Sequence, residues 1–359
     1  MTVYEKIATP SRAPSAQQAA PIPDDAAMLR VAAELNREFA VANPAVYWPD
    51  FLGSTALGYA GLAGAMLFES VPLVLLSGLV AMLALYRAAS FIHELTHVRK
   101  GALPGFRLAW NVLIGVPLMI PSFMYEGVHT LHHARTRYGT ANDPEYLPLA
   151  LMKPWSLPLF VLTAMLAPLG VILRFGVLTP LSLLSPSLRR VVEERFSALS
   201  INPSFRRRAP EGEFRRQWYV QEAGACLFAL ALVGSVFLFG WRPLLTCVAV
   251  HSTMTVINQL RTLVAHLWEN EGDTMSVTAQ YLDSVNVPPP SPFAAIWAPV
   301  GLRYHALHHL LPSVPYHALG KAHRRMKAAL DVQDTYGRAN YAGMLPLVGK
   351  IARSTMGAR

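Results

Sequence analysis

The chain is poor in cysteine and poor in charge. Only two cysteines, Cys226 and Cys247, occur in 359 residues, both within apolar runs. That excludes a disulfide framework, a zinc ribbon and a cysteine-bound iron–sulfur cluster. Charged residues make up 15% of the chain, against about 25% in a typical soluble domain. Hydrophobic residues make up 53%, and mean hydropathy is +0.31. This balance fits an integral membrane protein with sizeable polar segments. Acidic residues are scarce beside basic ones, 22 against 31, for a formal net charge of +9. In an apolar chain such an excess marks cytoplasmic loops rather than a nucleic-acid partner. Residues 1–45 lack the n-region, h-region and cleavage site of a signal peptide. They read as a cytoplasmic N-terminal segment, disordered to about Pro23. An amphipathic helix follows, with Met28, Val31, Leu35 and Phe39 on one face. It is suited either to the membrane surface or to packing on the protein.

Spanning a bilayer takes about 20 apolar residues. Four runs fit, at about 51–68, 73–91, 218–239 and 244–263, joined in two hairpins by Glu69-Ser70-Val71-Pro72 and Gly240-Trp241-Arg242-Pro243. Two further apolar stretches are interrupted. Residues 108–124 carry Asn111, Pro117 and Pro121; residues 157–184 carry Pro168, Gly170, Arg174 and Pro180. A basic segment then holds Arg189, Arg190, Arg206, Arg207, Arg208, Arg215 and Arg216.

What the chain has in abundance is clustered histidine. Eight of its twelve histidines fall in three boxes: His93/His97, His129/His132/His133 and His305/His308/His309. On a helix, positions i, i+3 and i+4 share one side, so each box can aim at a common centre. Packing alone gives no reason to repeat HxxHH twice. Eight imidazoles exceed what one zinc accepts and suit two metals, for which iron is a plausible choice. Neighbours such as His132 and His133 point about 100° apart on a helix, so one can serve each metal. His93-Glu94-x-x-His97 alone also matches the HExxH of zinc peptidases, which leaves a zinc-dependent membrane protein as the non-oxidative alternative. A shared centre requires all boxes on one side. Residues 108–124 are then re-entrant, residues 157–184 lie in the interface or turn back, and both termini are cytoplasmic. The fold expected is an all-α integral membrane protein: four transmembrane helices in two hairpins within residues 46–330, a cytoplasmic helical cap, and a tail over 331–359.

The three boxes resemble those of the membrane fatty acid desaturase family, in its bacterial branch. So do Asn142-Asp143-Pro144-Glu145-Tyr146, Asn258-Gln259-Leu260-Arg261-Thr262, Gly301-Leu302-Arg303-Tyr304 and Pro315-Tyr316-His317. The resemblance runs from about residue 50 to 330. It implies a di-iron site in the cap, with His266 as a ninth ligand at the end of the last span. It also implies O2 as co-substrate, a fatty acyl chain as substrate, and activity at the bacterial inner membrane with the site cytoplasmic. Hydrogen is removed from an unactivated methylene. A second loss gives a cis double bond, the outcome ranked first here; oxygen return gives an alcohol, and loss of a carboxyl gives a terminal alkene. No haem or ferredoxin motif is present, so the electron donor is a separate protein, such as a ferredoxin or a b-type cytochrome with its reductase. Glu94, Asp143, Glu145 and Asp283 are candidates to accept the second N–H of ligating imidazoles. Asn258 and Thr262 form a stripe with His266 facing the bundle. His251 lies deep in the last span and reads as structural or pocket-lining. His317 and His323 read as supporting residues rather than ligands.

Overall fold

The computed structural model describes residues 22–330 and 335–357. Most of the segment expected to be disordered lies outside the described residues. Among them the protein is helical, with isolated backbone bridges and no strand. Helix α1 (Ala26–Phe39) starts where the Asp25 side chain accepts the Met28 N–H at 3.0 Å, an ordinary N-cap. Its buried face, Met28, Ala32 and Leu35, packs on Ala318, Ala322 and Met326. The apolar stripe is therefore covered by protein.

Helices α2 (Pro44–Leu67) and α3 (Val71–His97) form a tight hairpin, each with a proline in its first turn, where the missing N–H does no harm. Three glycines set the approach. A Cβ on Gly61 would lie 2.7 Å from the Ala81 nitrogen, on Gly58 2.6 Å from Leu85 Cδ2, and on Gly64 2.7 Å from Ser77 Oγ. These small residues let the two helices touch and leave no room there for a ligand. Arg87 clamps Asp50 with two bonds, 2.7 and 2.6 Å, and Asp50 also accepts from the Tyr316 hydroxyl at 2.8 Å. At 27 residues α3 is about 40 Å long, more than the ~30 Å of a hydrocarbon core. Its last turns, which carry His93 and His97, extend beyond that thickness.

Residues 108–124 do not form a spanning helix. Helix α4 (Phe106–Trp110) runs into a π turn (Asn111–Gly115) and, after a break, a 3₁₀ turn (Ser122–Met124). Buried Asn111 folds the segment back on itself: its Oδ1 accepts the Ser122 N–H at 2.8 Å and its Nδ2 donates to Ser122 Oγ at 2.9 Å. Box two follows on the single turn α5 (His129–His132).

Among the described residues three helices are long and apolar enough to cross a membrane: Val71–His97, Ser156–Ser182 and Gly212–Phe239. The second is the stretch expected to lie in the interface or turn back. It is one continuous helical run, α6 (Ser156–Leu173) continuing through a π turn (Arg174–Leu178). It runs through Pro168 and Gly170, and buried Arg174 is satisfied by Glu222 (2.6 Å), Ser197 Oγ (2.9 Å) and the Phe196 carbonyl (2.8 Å). Its flanks nevertheless return to one region. Ala150 bonds the Trp268 carbonyl, and after helix α7 (Pro186–Arg195) Leu199 bonds the Met124 carbonyl and Ile201 the Pro144 carbonyl. The expected spans at 51–68 and 244–263 are helical, as α2 and as α9 (Arg242–Leu263), which follows α8 (Gly212–Phe239). Glycine in α2 and the polar residues His251, Asn258, Gln259 and Arg261 in α9 make these two less apolar.

Beyond α9 the cap comprises α10 (Val277–Asp283), α11 (His305–Leu310), α12 (Tyr316–Ala329) and α13 (Met344–Gly357). Fully buried Asn286 ties three of its segments together. Its N–H bonds the Ala339 carbonyl (2.8 Å), its carbonyl accepts from Tyr341 (2.8 Å), and its side chain accepts the Leu307 N–H (2.9 Å) in box three.

Because the flanks of Ser156–Ser182 meet the same region, reporter fusions at Glu145 and Arg207 are expected to read the same compartment. Opposite signals would place that helix across the membrane.

Candidate metal centre

The nine histidines come from four separate stretches, and the fold brings all nine together. They form two adjacent groups. His93, His97, His129, His133 and His308 make one; His132, His266, His305 and His309 make the other. Within each group one nitrogen per ring lies within 4.8 Å of the rest. Adjacent residues divide between groups: His132 and His133, and again His308 and His309. Nε2 atoms face one another at 3.0 Å for His129/His133 and His266/His305, and at 3.2 Å for His97/His308 and His305/His309.

Residue position follows from local structure. His93 and His97 are one turn apart on α3 and share its buried side. Box two turns on α5, whose length is fixed by the break before it. His266 is placed by backbone bonds from Leu267 to Asp283 (2.7 Å) and from Val285 to Ala265 (2.9 Å). The same strip continues to box three through Ala306, whose N–H bonds the Val285 carbonyl at 3.1 Å.

The donor set fits a pair of metal ions. Nε2 atoms that face one another can be satisfied by protons only pairwise, and several share one partner. Both ring nitrogens of His93, and Nδ1 of His305 and His308, are buried with no hydrogen-bond partner. Such groups are costly unless something binds them. Burial holds His129, His133, His266, His305, His308 and His309 well below the usual imidazole range. They are therefore neutral, the state a ligand must have. His132 differs: burial pulls it down, but the Asp143 carboxylate raises it above the usual value.

Carboxylates orient some of these rings. Asp143, fully buried, lies 2.9 Å from His132 Nδ1 and also accepts the Gly139 and Glu145 N–H groups at 2.8 Å. Glu145 lies 2.8 Å from His129 Nδ1 and accepts from the Tyr125 hydroxyl at 3.0 Å; burial pushes it up to about 7. Asp283 is 4.0 Å from His266 Nδ1 and acts through Tyr138. That hydroxyl donates to Asp283 at 2.7 Å and lies 2.8 Å from His266 Nδ1. Burial pushes Asp283 up to about 6.

The other three candidates sit elsewhere. Glu94 follows His93 directly, so its side chain projects about 100° around the helix. It accepts from the Tyr47 hydroxyl and from the Tyr316 N–H at 3.1 Å, and stands 3.9 Å from His93 Nδ1. Asn258 accepts from Arg261 at 3.1 Å, and Thr262 offers its carbonyl to Ala265. His317 accepts the Asn43 N–H at 3.1 Å, while His323, buried in the cap, bonds Tyr336 at 2.7 Å. Two tyrosines were not read from the sequence. Tyr125, four residues before His129, had a helical-spacing signal; Tyr138 had none.

This constellation can be compared with known proteins. The family described as Fatty acid desaturase matches residues 69–338. The chain belongs to the fatty acid desaturase family. It is also 50% identical, over 331 residues, to a ceramide hydroxylase of Caulobacter vibrioides (strain NA1000 / CB15N), covering 92% of this chain and 94% of that one. No solved structure matches. Membership makes the protein a lipid-modifying oxidoreductase of a metal-dependent family. Its histidine clusters and apolar helices are those of such a desaturase-like enzyme.

Asp143→Asn is expected to weaken metal affinity by about 10–100-fold, the usual effect of removing a ligand's carboxylate partner; metal titration of the purified protein checks this. His323→Ala is expected to leave metal content intact while lowering thermal stability by about 1–3 kcal/mol, through the orphaned Tyr336 hydroxyl.

Proposed function

We propose that this protein is an O2-dependent hydroxylase of a lipid acyl chain, in the first instance that of a ceramide-type lipid, with two irons in its two histidine groups. The observation that carries the reading is the division of nine clustered histidines, six buried and three half-buried, into adjacent sets of five and four. The 50% identity to a ceramide hydroxylase over nearly the whole of both chains supports hydroxylation above the double bond ranked first from sequence. Desaturation is the second reading, favoured by the family description.

The proposed ligands are His93, His97, His129, His133 and His308 on one iron and His132, His266, His305 and His309 on the other. Irons held there supply the O2 activation that an unactivated methylene requires. The protein's own contribution is placement. Asp143 and Glu145 hold the Nδ1 protons of His132 and His129, leaving their Nε2 atoms to bind metal. Tyr138 does the same for His266, relaying Asp283. Six of the nine rings are buried and three half-buried, which keeps bulk water from the centre. A cleft of about 140 Å³ between residues 40–42, the end of α3 and residues 312–315 reaches His97. It gives a separate electron donor, ferredoxin or b-type cytochrome, its approach to the centre. The topology proposed is four spans, α2, α3, α8 and α9, in the bacterial inner membrane, with the chain after Ser156–Ser182 returning to the side from which that helix starts and the centre cytoplasmic.

Lipid mass spectrometry decides the reaction. Expression in a ceramide-producing host should add one oxygen atom to the ceramide chain, and His132→Ala should abolish this. Loss of two hydrogens would replace hydroxylation by desaturation, and a 1-alkene would point to decarboxylation. Unchanged lipids with iron-loaded protein would overturn the reading.

A further inference from the structure

Two arginines carried by the long helices are held by carboxylates. Asp50 clamps Arg87 at 2.7 and 2.6 Å, and Glu222 holds Arg174 at 2.6 Å. Arg261 has no such clamp. It lies two residues before the end of α9 and five before His266, and among the described residues no carboxylate pairs with it. Its Nη2 donates to Asn258 Oδ1 at 3.1 Å. The group also stands against the Tyr86 hydroxyl, which itself donates to the Trp297 carbonyl at 2.9 Å. Its Nε is buried with no hydrogen-bond partner. A guanidinium stays charged and has donors only. Left without an anion in a poorly hydrated setting it is costly, and such a residue marks a functional site by default.

The position of Arg261 gives that unmet capacity a use. Tyr86 is seven residues before His93 on α3, about 10 Å along the helix. The Arg261 charge acts on His93, from the group of five, and on His266 and His305, from the group of four. The guanidinium thus stands beside both groups, and it comes to them from the last turn of a long helix. Arg261 as a whole is half-buried, which leaves it open to a ligand. An acceptor oxygen held there is only a few bonds from a carbon that reacts at the paired histidine groups. A hydroxyl would need a further acceptor for its own proton, since the guanidinium has none; a carbonyl oxygen needs no other partner.

Resting on the lipid reading above, we propose that Arg261 determines substrate position by donating to the amide carbonyl oxygen of a ceramide-type lipid. Hydroxylation then falls within a few carbons of that amide and not in the middle of a chain.

Competition binding tests this on the purified full-length protein in detergent. A fluorescent ceramide is displaced by N-octanoylsphinganine, by its thioamide counterpart, whose sulfur is the weaker acceptor, and by octadecanoic acid. The amide should bind about tenfold more tightly than the thioamide, the effect of one buried hydrogen bond to a charged donor. Arg261→Met, which keeps the apolar stem and removes the donors, should erase that difference with metal content equal to the parent. Arg261→Lys should retain part of it. Tandem mass spectrometry of the parent's product should place the new hydroxyl within a few carbons of the amide. Equal binding of amide and thioamide by the parent, an undiminished difference in Arg261→Met, tighter binding of octadecanoic acid than of the amide, or a mid-chain hydroxyl would overturn the Arg261 inference and leave the lipid reading standing. Failure of the probe to bind, or of every competitor to displace it, would overturn the lipid reading and this inference with it. Should Arg261→Met lose its metal, the two measurements on the parent decide.

Discussion

The constraint on which this structure turns is the mutual burden of nine imidazoles gathered in one place, six of them buried. Each ring taken from water loses hydrogen bonds that its neighbours, also imidazoles, cannot all return. Cations at the two foci would relieve that burden, and burial keeps the rings neutral enough to accept them. Under the proposed metal occupancy, folding and metal binding would be coupled, because the four stretches that carry the rings would surround the ions.

The scaffold answers that constraint with rigidity where it is needed. The α2–α3 hairpin closes on Gly58, Gly61 and Gly64 and on the Asp50–Arg87 pair, which fixes the end of α3. Asn111 folds the next segment back so that box two meets box one on the same side. Asn286 performs the matching task in the cap, locking box three to the C-terminal segments. The positions of His93, His129 and His305 are thus each traceable to a buried polar or small residue that permits one approach and no other.

Much of the centre was legible because metal ligation imposes a local spacing. HxxxH and HxxHH survive any tertiary context, and the split between adjacent His132 and His133 follows from helical geometry. Asp143 and Glu145 were legible from the run Asn142–Tyr146, beside box two. Glu94 follows His93 directly, and its carboxylate accepts from Tyr47 and Tyr316 while standing 3.9 Å from His93 Nδ1. Tyr138 and Asn286 carried no pattern: each acts across more than a hundred residues or among several segments, and only the fold supplies that proximity. Residues 157–184 read as interrupted at Pro168, Gly170, Arg174 and Pro180, yet Ser156–Ser182 is one helical run. The Glu222, Ser197 and Phe196 partners that neutralise Arg174 lie far along the chain.

Mössbauer spectroscopy of the purified protein, loaded anaerobically with isotopically enriched ferrous iron and then oxidised, addresses the central claim most directly. Two adjacent histidine groups predict two irons per chain that couple magnetically, giving a diamagnetic ground state. One iron per chain, or two that behave as isolated paramagnetic ions, would contradict the paired centre.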